Sequence, residues 1–306
     1  MKKTFYSNGK LLITGEYAVL DGAKALALPT KYGQYLHIKP VNENTIKWQS
    51  LDADGYIWYE AALPLIDIFE KNTNDNTPAV TKTLIAILHE AHKLNTAVLQ
   101  GAKGFTVKTQ LTFPRQWGLG TSSTLINNIA QWFAIDAYQL LWKSFGGSGY
   151  DIACAQHDTA IQYQIVNGKP MVTPVPLTYN FTNKLYFVYL NQKQDSRNAI
   201  AAYRDHNAQK NTGTAFTAIN NVTELLPGTT TVEAFSSLLE EHETILSGLL
   251  GLPTVKQSLF PDFPGTLKSL GAWGGDFILA VADNNPIAYF KDKGYTTVLP
   301  FSDMIL

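Results

Sequence analysis

The run Pro114-Arg115-Gln116-Trp117-Gly118-Leu119-Gly120-Thr121-Ser122-Ser123-Thr124 constrains the fold of this chain more than any other stretch. Before it, Phe105, Val107, Leu111 and Phe113 fall on odd positions and predict a strand over 105–113. After it, Ile126, Ala130, Phe133, Ala137 and Leu141 recur at three- and four-residue steps, which predicts a helix with one apolar face. The glycines between allow positive φ and a close approach of backbone to a ligand, and Thr121 and Ser122 suit a helix cap. A helix start of this kind leaves free N–H groups and partial positive charge, which suits a phosphate. From this stretch alone, a glycine-rich turn with no ligand is an equal alternative.

At 306 residues the chain is long enough for two compact domains. A formal net charge of -1 gives no electrostatic case for nucleic acid or an anionic membrane as partner. Only Arg115, Arg197 and Arg204 are arginines, so each is a candidate wherever an anion must be held. The single Cys154 excludes an internal disulfide and an all-cysteine metal site, and it fits a reducing setting. No run approaches the roughly 20 apolar residues that span a bilayer, and Asn8, Gly9 and Lys10 interrupt any leader-like run. The expectation is a soluble cytoplasmic protein, monomer or homodimer.

Taken in order, two short apolar runs flank Gly15-Glu16, and Asp21-Gly22 signals a turn. Lys10, after Asn8-Gly9, either points into a cleft or lies solvated on a strand edge. Thr81 to Leu94 reads as a helix; its His89 and His92 lack the third ligand a metal site needs. Gly146-Gly147-Ser148-Gly149 places Asp151 at the mouth of an apolar element, as an N-cap, a general base or an orienting carboxylate. Gln162 to Val175 alternates as a hairpin turning at Asn167-Gly168. A boundary falls near 177–183, giving domains 1–180 and 181–306. A strand from Lys184 to Leu190 runs into a polar loop with Lys193 and Arg197. Helical patterns then cover 213–225, 231–249 and 254–269, and Gly271-Ala272-Trp273-Gly274-Gly275-Asp276 precedes a strand, Phe277 to Ala282. The predicted class is α+β with two domains.

Three glycine segments thus occur in a set order: Gly9-Lys10 with Gly15-Glu16-Tyr17, Gly118 to Ser123, and Gly271 to Asp276. This order resembles the GHMP kinases over nearly the whole chain. The string Asp151-Ile152-Ala153-Cys154 and the last loop look most like the phosphomevalonate and mevalonate kinases. The resemblance implies a ribosomal-protein-S5-like N-terminal domain that binds ATP and a ferredoxin-like C-terminal domain that binds the acceptor. It implies a kinase using ATP and Mg²⁺, with phosphomevalonate the expected acceptor. Mevalonate or another small alcohol or sugar is the alternative, as is a non-catalytic nucleotide- or metabolite-binding protein. Gly118, Leu119, Gly120, Thr121, Ser122 and Ser123 would wrap the phosphates, with Ser122 also on the metal. Lys10 and Asp151 would flank the transferred group. Glu16, Ser148, Lys193, Arg197, Gly274, Gly275 and Asp276 are the residues expected on the substrate side.

The chain also departs from the family pattern. Asn8 stands where Pro is usual, Thr121-Ser122-Ser123-Thr124 replaces Ser-Ser-Ala-Ala, and Trp273 replaces a glycine, putting bulk where backbone would meet phosphate. Between Gly120 and Asp151 there is no glutamate to serve as a second magnesium ligand, only Asp136, expected in mid-helix.

Overall fold

A computed structural model describes residues 2–192, 196–207 and 212–306. The chain opens with β1 (Lys3–Thr14), β2 (Ala25–Pro40), β3 (Thr45–Leu51) and β4 (Ile57–Pro64). Helices α1 (Leu65–Glu70) and α2 (Ala79–Leu94) lead to β5 (Gly104–Leu111), then α3 (Thr121–Phe133), α4 (Ala137–Ser144) and α5 (Tyr150–Ala155). A hairpin of β6 (Ile161–Val166) and β7 (Lys169–Pro174) precedes β8 (Leu185–Tyr189). Four helices follow: α6 (Ser196–Asn207), α7 (Gly213–Leu225), α8 (Val232–Leu250) and α9 (Val255–Leu259). The last elements are β9 (Thr266–Ser269), β10 (Phe277–Val281), α10 (Ile287–Asp292), β11 (Val298–Pro300) and α11 (Phe301–Met304). The class is α+β.

Two compact units are each assembled from separated segments. One comprises Met1–Gly9, Tyr32–Arg115 and Gly120–Gln156; the other comprises Lys10–Lys31, Gln116–Leu119 and His157–Leu306. In the first unit, β3 pairs antiparallel with β4 and parallel with β5. Residues 34–40 of β2 run antiparallel along the other edge of β5, Gln34 opposite Leu111 and Pro40 opposite Phe105. Phe105, Val107, Leu111 and Phe113 are all buried, as their alternation predicts. Helix α2 buries Leu84, Ile85, Leu88 and Ala91, and α3 buries Ile126, Ile129, Ala130 and Phe133, in one core with Trp48 and Val107.

The helix predicted beyond Phe133 is two helices. Ala134 adopts φ 52 and closes α3, and the Asp136 carboxylate accepts the Tyr138 and Gln139 N–H groups to start α4. Asp136 is therefore an N-cap rather than a mid-helix residue. The apolar period runs through this break because α3 and α4 face the same core.

In the second unit a four-stranded sheet has the order β11-β8-β10-β9, antiparallel throughout. Its β10 is buried from Phe277 to Val281. The hairpin β6–β7 turns at Asn167 and Gly168, both at positive φ, as the sequence predicts. Helix α8 runs from the Thr231 cap to a left-handed Gly251. The helical pattern expected over 254–269 stops at Leu259, and 266–269 is a strand instead. Pro261 and Pro264 cannot continue the helix, so the chain re-enters the sheet beyond them.

Candidate functional site

Lys10 lies on β1 in the second unit. Its ammonium donates to the Gly118 carbonyl at 2.9 Å, and its backbone N–H donates to the Leu119 carbonyl at 3.1 Å. Lys10 is thus half-buried and bonded to the chain rather than solvated on a strand edge. The short segment it grips is held from other directions too. Tyr189 donates its hydroxyl to the Gln116 carbonyl at 3.1 Å, and the Trp117 ring stands edge-on to Phe277 at 5.5 Å. Gly118 has φ +68, and a Cβ there would overlap the Asp276 carboxylate. Only glycine lets that side chain lie so close. Asp276 itself sits at φ 53, an uncommon and strained setting for a residue with a Cβ. Its N–H donates to Gln192 and its carbonyl accepts from Leu190, which ties Gly274, Gly275 and Asp276 to the end of β8. Segments distant in sequence thus meet at Gly118: the Lys10 strand, the middle glycine loop and the last one.

Lys193 lies outside the described residues. Arg197 belongs to α6, with a side chain outside the described set.

Glu16 is 1% exposed and accepts from Lys268 at 2.7 Å. Lys268, itself fully buried on β9, also pairs with Glu243 at 3.3 Å and donates to the Ser269 carbonyl. Glu243 receives both the N–H and the hydroxyl of Ser269. Beside them, His242 Nε2 accepts the Gly15 N–H at 2.9 Å and lies 3.7 Å from Glu16. Two carboxylates thus share one ammonium away from water. Burial, opposed by Lys268, pushes the Glu16 carboxyl up to about 7. Burial and the same ammonium hold His242 far below its ordinary range, so it is neutral. Burial lowers Lys268, but Glu16 and Glu243 outweigh it and keep the ammonium charged. The carboxylate expected on the substrate side is inside the protein, bonded to a lysine.

The remaining candidates lie in the first unit. Gly120, left-handed at φ 93, is the cap residue of α3, so Thr121 and Ser122 occupy its first turn instead of capping it. A glycine cap leaves the first N–H groups without a side-chain acceptor. Ser122 is exposed, Ser123 donates to the Gly120 carbonyl at 2.9 Å, and the Thr121 hydroxyl oxygen is buried with no hydrogen-bond partner. Behind the loop, Thr124 donates to Gln34, Ser7 donates to Asn128, and Asn127 donates to Ser7, all buried. Gln156, just past α5, donates to Asn127 and ties that helix to α3. Ser148 is buried ahead of the left-handed Gly149, which caps α5. Asp151 is half-buried in the first turn of α5, its carboxylate accepting the Ile152 N–H at 3.1 Å. The N-cap reading for Asp151 therefore passes to Gly149. Among the described residues no group of three or more His, Cys, Asp or Glu could hold a metal, and His89 binds the Ile68 carbonyl.

No protein-family model and no curated protein matches the sequence. Solved structures do match. The mevalonate kinase of Methanococcus jannaschii superposes with a TM-score of 0.72 at 18% identity, covering 97% of this chain and 96% of that one. The phosphomevalonate kinase of Streptococcus pneumoniae, in complex with phosphomevalonate and AMPPNP, matches at 0.70 and 17%, covering 97% and 99%. The Lactococcus lactis galactokinase complexed with galactose matches at 0.66 and 13%, covering 95% and 88%. The chain has the GHMP kinase fold.

Within this GHMP kinase fold, the bulk of Trp273 is not spent inside the last glycine loop. Its indole N–H donates to the Pro253 carbonyl at 3.1 Å, and its ring packs on a cluster formed by Ala18, Ala23, Ile219, Leu246 and Leu249. The sequence reading passed over Lys268, Glu243 and His242. A signal for His242 existed: Phe235, Leu239, His242, Leu246 and Leu249 share one face of α8 at steps of three and four. Lys268 gave none, because burial of all four residues of β9 removes the alternation that would mark it.

Proposed function

We propose that this protein is an ATP-dependent small-molecule kinase that transfers the γ-phosphoryl group to an ionised acceptor, phosphomevalonate. The observation that carries the reading is the meeting at Gly118 of the Lys10 ammonium and the Asp276 carboxylate. Phosphoryl transfer demands positioning and charge neutralisation more than covalent chemistry, and a lysine fixed against a glycine loop supplies both. The start of the 13-residue α3, behind left-handed Gly120 and with the buried Thr121 hydroxyl unpartnered, fits an incoming phosphate oxygen. Gly118 to Ser123 would hold the triphosphate, with Ser122 also on Mg²⁺. When bound, the magnesium nucleotide supplies the phosphoryl group and neutralises charge, and most of the metal's ligands would be phosphate oxygens and water.

In this reading Lys10 and Asp151 serve the transferred group. A phosphate acceptor is already ionised near pH 7, so Asp151 orients rather than deprotonates it. Lys193 and Arg197 would hold the acceptor phosphate, and Ser148 and the Gly274–Asp276 loop would shape its surroundings. Glu16 would act through Lys268, as part of the frame under that loop. The solved structures of phosphomevalonate and mevalonate kinases that share this fold support the choice of acceptor. Bulk from Trp273 inside the last loop would favour a non-catalytic protein, and its ring packs instead on the cluster of Ala18, Ala23, Ile219, Leu246 and Leu249.

Purified protein offered ATP, Mg²⁺ and a panel of phosphomevalonate, mevalonate, galactose and homoserine should release ADP with phosphomevalonate. Release with mevalonate or galactose alone would change the acceptor. Nucleotide binding with no turnover on any member would leave a binding protein.

A further inference from the structure

Tyr17 carries a cost that the fold alone does not explain. It adopts φ 58 and ψ -49, a region that residues with a Cβ avoid, directly after Gly15-Glu16. A conformation of this kind is costly, and it persists only where surrounding contacts enforce it. Those contacts are on every side. The Gly15 N–H is held by His242, Glu16 by Lys268, and the Tyr17 ring stacks on Tyr203 at 5.5 Å. Tyr203 is pinned in turn by its hydroxyl donating to Asp21 at 2.8 Å. The result aims the Tyr17 hydroxyl at the last glycine loop, where its oxygen accepts the Trp273 N–H at 2.8 Å.

That bond falls at a decisive place in the loop. Gly271 and Gly274 are left-handed, with Trp273 between them, and Asp276 is left-handed two residues later. Glycines have the widest choice of conformations, so a loop built this way stays in one shape only if it is tied down. Its far end is tied by the Asp276 N–H to Gln192. Its near end is tied by Tyr17 and by the Trp273 indole on Pro253. Tyr17 is 8% exposed, and burial, with Glu16 and Asp276 nearby, pushes its phenol up to about 12. The hydroxyl therefore stays protonated and its oxygen remains an acceptor across the neutral range.

We propose that Tyr17 is a positioning residue: its hydroxyl fixes the Gly271–Asp276 loop through the Trp273 N–H, and so sets the affinity for the phosphoryl acceptor. The proposal rests on the kinase reading for the ligand that the loop serves, but not for the hold on the loop itself. Tyr17→Phe removes one oxygen and leaves the ring, its stacking and its backbone strain in place. A hydrogen bond of this sort changes an equilibrium by about tenfold.

Two measurements on the full chain test it. By amide hydrogen exchange without ligand, Tyr17→Phe should speed exchange at position 273 about tenfold and leave β10 amides unchanged. In steady-state kinetics the same variant should raise the KM for phosphomevalonate about tenfold, with kcat and the KM for ATP within about twofold. Unchanged exchange at 273, or faster exchange with an unchanged acceptor KM, overturns the proposal. If wild type transfers no phosphoryl group, the kinase reading fails, and the exchange result alone decides the role of Tyr17. Trp273→Phe removes the indole bond and part of the ring's packing but keeps the backbone N–H that Tyr17 accepts, so the amide at 273 should stay protected to within about twofold. Tenfold faster exchange in that variant would assign the hold to Pro253 and overturn the proposal, even if Tyr17→Phe failed to fold.

Discussion

Lys10 places a positive charge against a glycine carbonyl that leads into the middle loop. If that charge neutralises the transferred phosphoryl, Lys10→Met should lower kcat by at least about a hundredfold, the scale seen when one transition-state donor is lost. Far-UV circular dichroism should not change, because the β1 backbone bond to Leu119 remains. Wild-type turnover would remove Lys10 from the chemistry. Asp151 separates the acceptors. With an ionised phosphate acceptor, Asp151→Asn should cost about tenfold or less in kcat; an alcohol that needs a general base would cost about 10²–10⁴. Glu16 makes a prediction about pH. Its carboxyl is raised from 4.5 to about 7 by burial, so the folded chain keeps a proton that the unfolded chain releases. The stabilisation from that proton is complete below about 4.5 and is lost as pH rises toward about 7. Wild-type Tm should therefore fall more steeply than that of Glu16→Gln between pH 5 and 7.5. Parallel curves would contradict the assignment.

At the scale of elements, the candidate residues cluster at turns between elements, and the glycines of the turn from β5 to α3 have separate duties. Gly118 allows the Asp276 carboxylate to pack against its backbone, and Gly120 caps α3 without a side chain. Gly118→Ala would add an overlap to a left-handed φ, and a cost of about 1–3 kcal/mol follows from the backbone setting alone. Its Tm should fall by several degrees, and its KM for ATP should rise because the loop must move. Wild-type values for both would show that the middle and last loops do not depend on each other. Much at this scale was legible in sequence: the buried alternation of β5, the Asn167-Gly168 hairpin, and the helices α2, α7 and α8. The failures have physical causes. An apolar period shared by two helices hid the break at Ala134. Residues 266–269 read as helix although two prolines precede them. Side-chain oxygens suit a helix cap, which made Thr121 and Ser122 candidates and gave Asp151 one of its three readings, yet glycine holds both cap positions.

For the whole molecule, the order of three glycine segments carried more than any one of them, since each alone is an ordinary turn. The fold follows that order over nearly the full chain, although identity to the matching structures is only 13–18%. What sequence did not reveal is the buried frame of Glu16, Lys268, Glu243 and His242. It joins residues up to 252 positions apart, and no local pattern encodes such a separation. The central proposal is a chemical one, that the γ-phosphoryl of ATP passes to phosphomevalonate. Phosphorus-31 NMR of protein with ATP, Mg²⁺ and phosphomevalonate follows that transfer directly. The account predicts that the phosphomonoester signal gives way to a diphosphate pair as ADP accumulates, and that Lys10→Met leaves the spectrum unchanged. An unaltered phosphomonoester signal, with ATP either intact or hydrolysed to inorganic phosphate, would contradict it.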